Sequence, residues 1–279
     1  MRLIADSGST KTDWCVTSGK SVRLNVKTHG INPFHQREQA ILDILRDELL
    51  PQLEPVGAAA ITETHFYGSG CNEANAPVVR RVLEKVFGTS VKIFVYSDLL
   101  AAARAVCGKS EGVACIMGTG VNSCLYDGNA IVANTPPLGY ILGDEGSGAV
   151  LGKLFLNALY KGFLPQEMTG EFESWISMSY QDIITRIYRE PLANRFLASI
   201  APFIHSHLDV PAVRSIVIDN FRGFFRRNVA QYDAAAMPVG AVGSIAWFFQ
   251  DELREAARAE GFTVSKILRS PMEGLLEFC

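Results

Sequence analysis

Residues Asp6-Ser7-Gly8-Ser9-Thr10-Lys11-Thr12 lie between two short apolar runs, Leu3–Ala5 and Trp14–Val16. Gly8 lets successive backbone N–H groups face one concavity, a shape that suits phosphate oxygens. Ser9, Thr10 and Thr12 add hydroxyl donors, and Lys11 adds a positive charge. A phosphate would repel Asp6, which is suited instead to hold Mg2+ or its waters. The same residues also describe an ordinary hairpin with a polar turn. A second strand, turn and strand occupy Val113–Tyr126, with Gly118-Thr119-Gly120-Val121-Asn122 at the tip. Two such hairpins, about a hundred residues apart, are expected to grip one polyphosphate from opposite sides. That expectation requires two similar domains.

Three further stretches carry chemistry. Gly240-Ala241-Val242-Gly243-Ser244 is a Gly-rich turn without the lysine of a P-loop, and no G-x-x-x-x-G-K-[ST] occurs in the chain. A nucleoside can lie against Gly240, Gly243 and Ser244; the plainer alternative is a tight strand-to-helix turn. Asp98 follows a strand and begins a helix. It suits a general base for an attacking hydroxyl beside a γ-phosphate, and it equally suits an N-cap. Asp144, in Gly143-Asp144-Glu145-Gly146-Ser147-Gly148, is either a cap or a holder of substrate hydroxyls. Asn32 and Asn122 are uncharged groups of the kind that pair with sugar hydroxyls. His205 and His207 are expected on the surface or satisfied internally.

The elements that must position these residues read in order. Strands are predicted at Leu3–Asp6, Trp14–Thr17 and Ser21–Thr28, then a helix from about His35 to Leu50 stopped by Pro51. Ala58–Phe66 reads as a strand, Ala76–Phe87 as a helix, Val91–Tyr96 as a strand, and Ser97-Asp98 caps a helix through Val106. After a polar hinge at Gly108–Gly112 the order begins again, with strands at Val113–Met117, Val121–Tyr126 and Ala130–Asn134. Gly143-Asp144-Glu145-Gly146-Ser147-Gly148 opens a helix running to about Tyr160. A mainly helical stretch from about 165 to 231 follows, with breaks at Pro191 and Pro211. Ala235–Val239 and Phe262–Ile267 read as strands flanking a helix, and Pro271 starts a last helix. The expected architecture is α/β: two ribonuclease H-like domains, each a βββαβαβα unit, with the ligand cleft between them. The expected domains are 1–109, with helix 271–279 packing back on it, and 110–270, with a helical insertion at about 161–231.

The chain has 279 residues, 48% hydrophobic and 20% charged, with a net charge of −3. No cation excess exists to release counterions, so no nucleic-acid or membrane partner is expected. No targeting segment is expected, since Asp6 is reached before any apolar h-region could form, and the most apolar stretch, Pro238–Phe249, is too short to span a bilayer. The six cysteines form no C-x-x-C pair and lie in or beside apolar runs, as free thiols in a reducing cytoplasm do. A homodimer is compatible with the apolar second half.

Asp6–Thr12, Gly118–Asn122 and Gly240–Ser244 resemble the two phosphate motifs and the adenosine motif of the actin-like ATPase (acetate and sugar kinase, Hsp70 and actin) superfamily. Asp6–Thr12, Met117–Ser123 and Gly143–Ser147 together are most similar to the branch holding N-acetylglucosamine kinases and the BadF/BadG/BcrA/BcrD ATPases. The resemblance covers nearly the whole chain and is weakest over 161–231. It implies ATP with Mg2+, domain closure, and transfer of the γ-phosphoryl to a sugar hydroxyl, N-acetylglucosamine to its 6-phosphate being the leading case. By motif match it implies Asp98 as base and Asn32, Asn122 and Asp144 as sugar contacts, with Ser69 and Gly70 on a loop approaching the sugar. Thr135-Pro136-Pro137-Leu138-Gly139 departs from the branch's Gly-rich stretch and implies a stiffer loop there. The rival readings are an ATPase that activates a radical acyl-CoA dehydratase, which needs cysteines for an iron–sulfur cluster, and a non-catalytic nucleotide or sugar sensor.

Overall fold

The computed structural model describes residues 1–8, 10–234 and 236–279. The chain divides into two compact units, Met1–Lys109 with Pro271–Cys279, and Ser110–Ser270.

In the first unit, strands β1 (Arg2–Ser7), β2 (Lys11–Ser18) and β3 (Ser21–His29) form an antiparallel meander. Strands β4 (Glu63–Gly68) and β5 (Lys92–Ser97) join the other edge of β1 in parallel, giving the order β3-β2-β1-β4-β5. Alternation along β1 sends Leu3 and Ala5 to one face and Ile4 to the other. The first face packs Trp14, Val16, Phe66 and Ile93 against helices α1 (Glu38–Asp43) and α2 (Ala76–Phe87). The second packs Ile4 and Tyr67 against α3 (Asp98–Cys107) and the helix Met272–Phe278. A central strand buried on both faces has no polar side to show, hence its unbroken apolar run.

The second unit repeats this sheet. Strands β6 (Glu111–Met117), β7 (Val121–Asp127) and β8 (Ile131–Ala133) form the meander, and β9 (Val239–Val242) and β10 (Val264–Leu268) pair in parallel beyond β6. The order is β10-β9-β6-β7-β8, matching strand for strand. Between β8 and β9, among the described residues, lie the short helix Gly139–Leu142, then α4 (Gly148–Tyr160), four shorter helices and α5 (Pro211–Arg227). Their apolar faces join β6 in one core that includes Phe155, Phe172, Phe221, Phe224 and Phe225. After β9 comes α6 (Ser244–Phe248).

Several expected boundaries are corrected. Pro51 does not stop its helix: α1 widens into π-helical turns over Ile44–Leu49 and continues through Leu50–Gln52. The Leu50 N–H reaches Leu45 O, and in that wider spiral a residue without an N–H is tolerated. Ala58–Ala60 forms a 3-10 turn after left-handed Gly57, and the strand starts only at Glu63. Its partner fixes the shift, because β1 begins at Arg2, opposite Glu63. The strand expected at Ala235–Val239 is instead Val239–Val242, held in register by Val113–Ile116; Ala235 lies outside the described residues. The break expected at Pro211 is there: one helix ends at Ser206 and the next opens at Pro211, whose missing N–H is no loss in the first turn. Among the described residues no helix is long and apolar enough to cross a membrane.

The helix Met272–Phe278 approaches α3 so closely that a Cβ on Gly274 would lie 2.3 Å from the Ala105 carbonyl oxygen. Gly274→Ala is therefore expected to cost about 1–3 kcal/mol by overpacking. A thermal melt checks this, and an unchanged midpoint would mean the two helices do not meet so closely.

Candidate active site

The first hairpin turns two of its hydroxyls inward. Ser7 and Thr12 are fully buried, directly opposite one another on β1 and β2, with their oxygens 2.6 Å apart. Thr12 Oγ1 also donates to His29 O at 3.1 Å, and Ser7 Oγ accepts from the Ile31 N–H at 2.9 Å. Thr12 is thus a strut between the hairpin and the 29–32 loop, which corrects its expected place among the phosphate donors. Thr10 is exposed, its carbonyl accepting from the Gly30 N–H, and Gly8 N–H closes the turn onto Lys11 O at 3.0 Å. Lys11 Nζ sits 2.6 Å from Asp13 Oδ2, and Lys27 lies 3.7 Å from the other oxygen. Asp13 faces Asp6 across the ladder, so these lysines offset a like-charge pair. Ser9 lies outside the described residues. Among those described, no three His, Cys, Asp or Glu side chains converge. That donor set fits Mg2+ held by one carboxylate, Asp6, with phosphate oxygens and water, rather than an all-protein cage.

The same unit gathers a second group of the expected residues at the ends of β4 and β5. Ser97 caps α3 by accepting from the Leu100 N–H, which leaves Asp98 free of that duty. Asp98 Oδ1 accepts from the Leu99 N–H at 2.9 Å, and the Ser69 hydroxyl donates to the same carboxylate. Burial raises the Asp98 pKa above the ordinary carboxylate range, and these two hydrogen bonds oppose the rise only in part. Neighbouring Cys71 is buried, its thiol pushed up to about 12 by burial first and then by the Asp98 charge. Gly70 lies against Asn32: a Cβ there would fall 2.2 Å from Asn32 Oδ1. Asn32 is itself buried and shapes its loop by accepting from the Phe34 N–H at 3.0 Å. Asp98, Ser69, Gly70 and Asn32 therefore form one patch.

In the second unit the hairpin tip is held from behind. Gly118 N–H donates to Gly120 O at 2.9 Å. The first N–H groups of α4 bind the tip carbonyls, Gly148 to Gly118 O at 2.9 Å and Ala149 to Thr119 O at 3.1 Å. Asp144 reaches the same tip, since a Cβ on Gly120 would meet its Oδ2 at 3.1 Å. Asp144 has a left-handed backbone, φ 58°, and burial raises its pKa from 3.8 to about 6; Glu145 adds to the rise and Lys153 opposes it. The stiff 135–139 loop carries Asp144 directly: Pro137 O accepts the Asp144 N–H at 2.9 Å, and Thr135 is anchored to Tyr232 and Asn228. Asn122 lies on β7 rather than in the turn. Its Oδ1 accepts from Asn134 Nδ2 and from the Ser123 N–H, both at 2.9 Å.

A cavity of about 520 Å³ opens beside this tip, reaching from Gly118 and Thr119 to Ser244, Ile245 and Phe248. Gly243, φ 121°, makes the turn into α6 pass directly over β6, where a Cβ would meet Met117 O at 2.2 Å. Gly240 is corrected: it lies inside β9, buried and paired with Ala114 and Lys266, away from the turn. The far wall comes from the helical insertion, through Arg195, Ser199 and His205. His205 is therefore a cavity residue, its ring edge-on to Phe248 at 5.9 Å, while Arg269 covers Phe248 at 5.4 Å. Sequence reasoning missed these residues because helical spacing marks a buried face but not which cavity its rim borders.

No model of a known protein family matches the chain. A candidate N-acetylglucosamine kinase from Porphyromonas gingivalis is similar in structure, with TM-score 0.96 and 47% identity over 100% of this chain and 98% of that one. The N-acetylmuramic acid/N-acetylglucosamine kinase of Clostridium acetobutylicum is 26% identical over 212 residues, 72% of this chain and 68% of its own length. A second candidate N-acetylglucosamine kinase, from Chromobacterium violaceum, shares the fold at TM-score 0.73 and 17% identity, over 99% and 98% of the two chains.

Thr12→Val separates strut from phosphate donor. Leaving Ser7 Oγ and His29 O without that partner should lower stability by about 1–3 kcal/mol. Denaturant unfolding measures the loss; weaker nucleotide binding at unchanged stability would instead mean a phosphate contact.

Proposed function

Since the chain belongs to the N-acetylglucosamine kinase family, within the actin-like ATPase superfamily, we propose that it transfers the γ-phosphoryl of ATP to the 6-hydroxyl of an amino sugar, N-acetylglucosamine first among them. The observation that carries this reading is the patch in which Ser69 donates to Asp98 while Gly70 rests on Asn32. It offers a sugar a carboxylate base, an amide and bare backbone at one place.

In this reading Asp98 accepts the proton of the attacking hydroxyl. Ser69 and the Leu99 N–H hold its carboxylate in one orientation, with the second oxygen toward the substrate. Asn32 and Asp144 take sugar hydroxyls. The Gly118–Gly120 tip and the 8–11 turn bind the phosphates, and the cavity beside Ser244 takes the nucleoside, its base against Phe248 and His205. Asp6 holds Mg2+, which neutralises charge on the β- and γ-phosphates. The reading requires the two units to act on one nucleotide. Activation of a radical dehydratase is disfavoured by the burial of Cys15 and Cys71, since cluster ligands are thiolates and burial raises the pKa of both thiols.

Incubating the purified protein with ATP, Mg2+ and a panel of sugars tests the proposal. ADP release only with an amino sugar, with the phosphosugar seen by mass, is the expected result; ADP release independent of sugar would overturn it. Asp98→Asn, which keeps shape and hydrogen bonds, should slow transfer by about 10²–10⁴ while leaving nucleotide binding intact. The base works only when ionised, so wild-type kcat/KM should fall as pH drops through the raised Asp98 pKa, above the ordinary carboxylate range. Phe248→Ala should weaken ATP about 3- to 10-fold by loss of stacking, with the sugar KM unchanged.

A further inference from the structure

Asn220 lies on α5 in apolar surroundings, 3% exposed, with Val217, Phe221 and Phe224 fully buried on the same helix. A buried amide is costly unless both its ends are bonded. Both ends of this one go to backbone of the acidic loop, to the peptide groups on either side of the Gly146–Ser147 bond. Oδ1 accepts from the Gly146 N–H at 2.9 Å, and Nδ2 donates to Ser147 O at 3.3 Å. Gly146 N–H can only donate, so the amide has one orientation. One helical turn on, Phe224 closes the same point: a Cβ on Gly146 would lie 2.9 Å from Phe224 Cβ. Gly146 takes φ 87° and Asp144 φ 58°, and Ser147 N–H returns to Asp144 O at 3.0 Å. A left-handed backbone costs a non-glycine residue stability, so something must hold Asp144 there.

We propose that Asn220 is a positioning residue for Asp144, clamping residues Gly146 and Ser147 by the Gly146 N–H and the Ser147 carbonyl so that the Asp144 carboxylate stays beside the Gly120 turn. The helical insertion thereby sets how firmly the substrate is held. This rests on the reading of Asp144 as a holder of substrate hydroxyls. The amide touches no reacting group and acts only through the loop.

The test uses the full chain. Asn220→Ala should lower kcat/KM for N-acetylglucosamine by about 10–10²-fold through misplacement of Asp144. Its effect in an Asp144→Ala background should shrink to within about twofold, since both changes remove one interaction. Equal losses in the two backgrounds would overturn the proposal. A readout that needs no substrate is the carboxyl 13C titration of Asp144. Its pKa, about 6 in the wild type, should move toward the ordinary aspartate value in Asn220→Ala; an unmoved titration overturns the proposal. If Asn220→Ala does not fold, Asn220→Ser is judged by the same two comparisons. A wild type that phosphorylates no sugar would sink the proposed function, while the titration would still decide the role of Asn220.

Discussion

Two hydrogen bonds from the first turn of α4, Gly148 N–H to Gly118 O and Ala149 N–H to Thr119 O, organise the second unit. A helix N-terminus normally has N–H groups to offer an anion. Here two of them are spent on the hairpin tip, so the helix anchors the tip rather than binding a phosphate itself. The consequences spread outward. With the tip fixed, the loop preceding α4 must bring Asp144 back beside Gly120, which it does only through a left-handed residue. The passage is close at Gly148 too, where a Cβ would crowd Ile245, Ala198 and the Gly118 carbonyl at 3.0–3.3 Å. Those neighbours belong to α6 and the insertion, so tip, cavity wall and insertion are packed against one point.

The two hairpins share a strand order but are stiffened differently. In the first, paired hydroxyls of Ser7 and Thr12 stitch β1 and β2 to the 29–32 loop from inside. In the second, backbone groups of a following helix do the work. Among the described residues of the first, the Thr10 and Lys11 side chains are exposed. The second is almost bare glycine backbone, with the Asp144 carboxylate brought beside it from a separate loop. A duplicated sheet therefore carries two hairpins stiffened by unequal means.

Much of this was legible in the sequence, because strand–turn–strand patterns with glycine at the tip depend only on local chemistry. The repeated order of elements, the Ser97 cap and the helix Ala76–Phe87 followed from spacing and capping alone. What failed depended on partners distant in sequence. Strand limits at Glu63 and Val239 are set by register with β1 and β6, so an apolar run read alone was placed early. That displacement put Gly240 in the turn, when only Gly243 and Ser244 are there. Thr12 looked like a donor because a hydroxyl in a turn sequence does not show which way the strand pleat will send it. His205 and Asn220 gave no signal, since a polar residue on an amphipathic helix becomes a cavity wall or a clamp only through the opposing surface.

Two of the acidic groups that the proposed chemistry uses, Asp98 and Asp144, are held at a cost. Folding buries Asp98 and Asp144, and burial disfavours their charged forms. For Asp144 the sign follows from its folded pKa of about 6 against 3.8 for an ordinary aspartate. Below the unfolded value both states are protonated and there is no penalty; it grows as pH rises through the interval and is complete above the folded value. At neutral pH it amounts to something on the order of 3 kcal/mol, a large share of a typical domain's margin. The left-handed Asp144 backbone adds roughly another 1 kcal/mol. A fold under no other demand would relax both by letting the loop swing out to solvent. Asn220, Phe224 and the Pro137 carbonyl prevent that. The helical insertion, which adds nothing to the shared strand order, thus supplies packing energy that keeps a strained, partly desolvated carboxylate against the hairpin tip.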